Sequence, residues 1–108
     1  MQFSTFQTPQ EIAQLVTNPS PWVLIYKNSG FCTFSGQCYT TLQVIPFPGI
    51  AKLITVQEQR ELSNYVTHYF NIPHATPQVI ILQHGVVKKV MNGLHEITKA
   101  NIDLTLSS

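Results

Sequence analysis

The residues best equipped for chemistry are Cys32, Ser35 and Cys38, gathered in the stretch "SGFCTFSGQC" from Ser29 to Cys38. A cysteine attacks as its thiolate, and the thiolate fraction rises at a helix N-terminus or beside a cation. The spacing admits three uses: a disulfide pair, half of a metal site, or one reactive thiol beside one packing residue. Six residues of α-helix rise about 9 Å and turn about 240° beyond one full turn. A disulfide needs Cα atoms within about 7 Å, so Cys38 is poorly placed to bond Cys32 unless the helix unwinds. Gly36 lies between them and weakens any helix there. The Ser35 hydroxyl can donate a hydrogen bond to a thiolate or satisfy the backbone of a starting helix.

The elements that must position these residues follow from punctuation and periodicity. Thr8, Pro9 and Glu11 have the order of an N-cap, a first-turn proline and the acid of a capping box, and Ile12, Leu15 and Val16 follow at helical spacing. A first helix is predicted from about Pro9 to Thr17, stopped by "NPSP". "WVLIYK" from Trp22 to Lys27 reads as a strand buried on both faces, with Trp22 as a packing residue. Phe34, Cys38, Leu42 and Ile45 form one helical stripe, so the second helix begins beside Cys32 and ends before "PFPG". That stripe assigns Cys38 to the core, whereas Cys32 follows Ser-Gly in a polar loop.

"IAKLITVQ" from Ile50 to Gln57 predicts a further strand, and Leu62, Tyr65, Val66, Tyr69 and Phe70 predict a third helix. After the loop "NIPHATP" come two strands, "QVIILQ" and "VVKKVM", joined by a tight turn at His84-Gly85. Ile97 and Ile102 bracket Thr98 as a hydrophobic staple around an N-cap, predicting a short closing helix. The order α, β, α, β, α, β, β, α favours a central four-stranded mixed sheet with helices on both faces. That is the thioredoxin-like topology, in one α/β domain spanning residues 1–108.

In such a fold the loop after the first strand delivers Cys32 to a helix start, where unpaired N–H groups and the positive dipole end favour a thiolate. Lys27 adds to this if its ammonium folds back. Ser35 occupies the place of the second cysteine in C-x-x-C, giving C-T-F-S. Thr76-Pro77 precedes the third strand, where this fold carries a cis-proline facing the reactive cysteine and offers the preceding backbone, here Thr76, to a bound thiol chain.

Composition excludes several function classes. With 108 residues, 44% apolar and 10% charged, a net charge of +1 and no basic run, the chain lacks the features of a nucleic-acid or anionic-membrane binder. Its longest apolar stretches fall far below the roughly 20 residues of a membrane span. The N-terminal "MQFSTFQTPQ" lacks the features of a secretory signal, so a cytoplasmic location is expected. In that reducing compartment a structural disulfide is disfavoured. His68, His74, His84 and His95 lie in separate elements without ligand-pair spacing, so no metal is expected; His74 and His95 border the cleft without an assigned role.

With these residues in place, the chain resembles the monothiol bacilliredoxins of the YtxJ-like family. The resemblance is strongest over "VQEQRELSNYVTHYFNIPHATPQVIILQHG", extends through "YKNSGFCTFSGQCY", and is weaker at "EIT". It implies a thioredoxin-like cytoplasmic enzyme that removes bacillithiol from protein mixed disulfides, with bacillithiol as a thiol cosubstrate and no bound cofactor. Cys32 matches the attacking cysteine, Ser35 the monothiol-position serine and Pro77 the cis-proline. Thr33 stands where family members commonly carry proline, and Cys38 falls outside the family pattern. Implied partners are bacillithiolated proteins, bacillithiol and a dithiol redoxin or reductase. Three other readings stand beside this one: a dithiol cycle in which Cys38 resolves the adduct, an iron–sulfur binding redoxin, and a redox-inactive interaction domain.

Overall fold

In the computed structural model, residues 1–17, 21–30 and 33–108 are described, Thr33 by its backbone. The elements are β1 (Phe3–Thr5), α1 (Gln10–Thr17), β2 (Trp22–Asn28), α2 (Thr33–Gln43), β3 (Ile50–Thr55), α3 (Arg60–Tyr69), β4 (Gln78–Gln83), β5 (Val86–Asn92) and α4 (Lys99–Ser107). The expected stop of α1 at "NPSP" runs into residues 18–20, outside the described residues.

The sheet has five strands in the order β1-β3-β2-β4-β5, which corrects the expected four. β1 pairs parallel with β3, Phe3 opposite Ala51. It escapes sequence reading because three residues, Phe-Ser-Thr, are too few to show alternation. β2 pairs parallel with β3 and antiparallel with β4, and β4 pairs antiparallel with β5.

Alternation along the central strands divides the core in two. Val23 and Ile25 of β2, with Ile80 and Leu82 of β4, pack against Ile12 and Leu15 of α1 and Leu62 and Val66 of α3. Leu24, Tyr26, Val79 and Ile81 face the other way, against Cys38 and Leu42 of α2 and Ile102 of α4. Both faces of these central strands are covered, which is why "WVLIY" and "VIIL" carry no polar alternation.

The stripe of α2 differs from its expected phase. Phe34 is 55% exposed, and the buried positions are Ser35, Cys38 and Leu42, with Ile45 just beyond the helix. A 100° step from Phe34 to Ser35 turns the aromatic ring outward.

Local signals read from the sequence reappear as geometry. The Glu11 carboxylate accepts from the Gln7 amide and, at 2.8 Å, from the Thr8 amide, and these bonds lower its pKa. Thr98 caps α4 through the Asn101 amide at 3.2 Å, and Ile97 and Ile102 are both buried in the same core cluster. The hairpin turn has φ of 52° at His84 and 79° at Gly85, the paired positive values of a tight β-turn. A Cβ at Gly85 would also collide with the Val16 carbonyl, so the turn packs on the end of α1. No helix among the described residues is long and apolar enough to cross a membrane.

Candidate active site

β2 and β4 bring the two halves of the site together. Their antiparallel register sets Lys27 opposite Gln78, so Pro77 and the loop that follows Asn28 leave the sheet at the same end. The Thr76–Pro77 peptide bond is cis, and the Pro77 carbonyl accepts from the Gly93 amide at 2.9 Å. Pro77 is buried and Thr76 half-buried. Cys32 lies outside the described residues. α2 begins with Thr33, the next residue in the chain.

The described residues on either side of positions 31–32 are hydrogen-bonded to the sheet and to the loop after β3. Ser35 is fully buried, and its Oγ accepts from the Ser29 amide at 3.2 Å. The Tyr26 hydroxyl donates to the Ser35 carbonyl oxygen at 2.7 Å. From the loop after β3, Gln57 Oε1 accepts from the Gly30 amide at 2.9 Å while its Nε2 donates to Ser29 Oγ at 2.6 Å. Residues 29, 30 and 35 therefore share one network.

The sequence places Gln57 at the end of a strand. β3 instead stops at Thr55, and the turn that follows frees the amide side chain for the loop. Tyr26 reads from the sequence only as part of an apolar run. Nothing in strand periodicity distinguishes a buried tyrosine with a polar contact from one without.

Lys27 departs furthest from expectation. Its side chain takes the inward position that continues Val23 and Ile25, and it is fully buried. The ammonium donates to Thr67 Oγ1 at 2.6 Å and meets His74 Nδ1 at 3.2 Å, on the α3 side of the sheet rather than over the loop toward α2. Burial lowers its pKa to about 8. His74 is exposed, and its pKa is lowered by partial desolvation and then by the Lys27 charge. Alternation carries the signal for Lys27, because an inward lysine in a central strand needs a polar partner. His95 is exposed in the turn after β5, outside this cluster.

Cys38 is fully buried against the sheet, in the cluster with Tyr26, Leu42 and Ile45.

A mixed sheet with helices on both faces and a cis-proline just ahead of β4 is the arrangement of the thioredoxin fold. Solved structures agree on the fold: a putative oxidoreductase with a thioredoxin fold has a TM-score of 0.82 at 19% identity, covering 94% of this chain and 91% of its own. A mutant thioredoxin from Halobacterium salinarum gives 0.72 at 17% identity, over 95% of this chain and 87% of that one. Thioredoxin from Malassezia sympodialis gives 0.69 at 15% identity, over 98% and 89%. Within that fold the chain belongs to the monothiol bacilliredoxin BrxC family, whose model matches residues 4–102.

Proposed function

We propose that the protein removes bacillithiol from protein mixed disulfides by a monothiol route, with Cys32 as nucleophile. The observation that carries this reading is the family match itself, because residues 4–102 span Cys32, Ser35 and Pro77 together. The Cys32 thiolate attacks the bacillithiol sulfur of the mixed disulfide. The old S–S bond breaks, the protein sulfur leaves and takes a proton from solvent, and bacillithiol becomes disulfide-linked to Cys32. A second bacillithiol thiolate, or a dithiol redoxin, then attacks that adduct and restores the Cys32 thiol. Thr76 offers its backbone to the incoming chain, Pro77 shapes the edge, and Thr33 and Ser35 support the thiolate. The compartment is the cytoplasm, where bacillithiol is kept reduced.

Burial of Cys38 supports a packing role rather than a resolving one, since a resolving thiol must reach the adduct. The test is intact mass after treatment with oxidised bacillithiol. Wild type and Cys38→Ser should each gain one bacillithiol, and Cys32→Ser none. Rapid loss of the adduct to an intramolecular bond, abolished by Cys38→Ser, would replace this route with a dithiol cycle.

A further inference from the structure

The buried end of Lys27 is the feature this chemistry leaves unexplained. A lysine enclosed in a protein core without a carboxylate costs stability, and an apolar side chain of similar size would not. Among the described residues the one ion pair is Lys99–Asp103, far from this site in the fold. Thr67 does not require Lys27, because its hydroxyl already donates to the Ser63 carbonyl at 3.1 Å. The other end of the contact is His74, in the loop between α3 and the cis-proline. Gln78, directly across the ladder from Lys27, holds the same loop by donating from Nε2 to the Pro73 carbonyl at 2.9 Å, and to Asn92 Oδ1 at 3.0 Å. Two side chains from the sheet thus grip consecutive residues of the loop that ends in Thr76 and Pro77.

We propose that Lys27 is a positioning residue for the substrate edge: through His74 it holds the loop from Asn71 to Thr76 in the form that presents Thr76 to the disulfide-bearing chain. The proposal rests on the reading that this edge receives substrate. It carries a pH signature. The ammonium contacts Thr67 from α3 and His74 from the loop, with Gln78 of β4 and Ile54 of β3 flanking Lys27 in the sheet register; among these four, His74 titrates. Loss of the Lys27 proton above about pH 8 removes the charge assistance. Protonation of His74 in acid removes the Nδ1 acceptor and sets two cations together. The grip is therefore firmest between those limits.

The experiment measures KM and kcat for a peptide carrying a bacillithiol mixed disulfide, at pH 7 and pH 9, with wild type, Lys27→Met, His74→Ala and the double variant. At pH 7 each single variant should raise KM about tenfold, the size of one charge-assisted hydrogen bond, with kcat within about threefold. The double variant should match the singles, because one contact is lost in each. Wild-type KM should climb toward that of Lys27→Met at pH 9, and thermal stability of Lys27→Met at pH 7 should not fall. Unchanged KM in both singles, or additive effects in the double, would overturn the proposal. If no protein turns over the peptide, the functional reading has failed, and amide hydrogen exchange decides the positioning role. His74, Ala75 and Thr76 should exchange faster in both variants than in wild type at equal pH, and equal rates would refute it. Should Lys27→Met not fold, His74→Ala, at an exposed position, supplies both readouts.

Discussion

Tyr26 and Lys27 are consecutive in β2 and face opposite sides of the sheet at the same strand end. Tyr26 points toward α2 and donates its hydroxyl to the Ser35 carbonyl, within a neutral network that includes Ser29, Gly30 and Gln57. Lys27 points toward α3 and brings a charge into the core, where it meets a hydroxyl and an imidazole. The α3 side also holds two buried oxygens, Ser63 Oγ and Gln78 Oε1, without a hydrogen-bond partner among the described residues. One side is built from uncharged donors and acceptors, and the other brings a charge into the core. The described residues flanking positions 31–32 thus rest on uncharged bonds, and the loop before Pro77 on a charged one.

The largest way to break this contrast is to remove its charge. The folded pKa of Lys27 is depressed, so between about pH 8 and 10.5 the unfolded chain binds the extra proton and folded stability rises with pH. Lys27→Met should flatten that rise, a difference of up to about 3 kcal/mol in urea unfolding across the window.

On the opposite side, Tyr26→Phe leaves the ring and deletes the donor. It should cost about 1–2 kcal/mol at pH 7 in urea unfolding.

Gln57→Ala removes both bonds to the 29–30 loop from a half-buried position. A cost of about 1 kcal/mol in chemical denaturation is expected, with hydrogen exchange at Gly30 speeding up more than exchange in β4. Phe34→Ser marks the lower end. Because the ring faces solvent, its effect on stability should stay within about 0.5 kcal/mol, whereas a core phenylalanine would cost several times more.

Most of the framework is legible in the sequence because long apolar runs and helical stripes have only one compatible element. "WVLIY", "QVIIL" and the Leu62–Phe70 stripe are of that kind, as are the Thr98 cap and the His84-Gly85 turn. Short or ambiguous signals fail. β1 offers three residues, and the Phe34 stripe could start one residue earlier or later without breaking its spacing. Ser35 stands out by its distance from Cys32, and Pro77 by the strand after it. The contacts of Gln57, Tyr26 and His74 are invisible in the sequence, since each meets a residue distant along the chain and polar contacts across elements leave no periodicity. Lys27 is noticeable as a charge, but the direction of its ammonium depends on tertiary packing that strand alternation only hints at.

β1 also has a consequence for how the molecule meets other chains. By covering β3 it leaves, on that side, an edge only three residues long, and the opposite edge carries Lys88 and Lys89 in the middle of β5. A short edge and a charged edge are both poor templates for strand addition, so runaway pairing between copies is disfavoured on either flank.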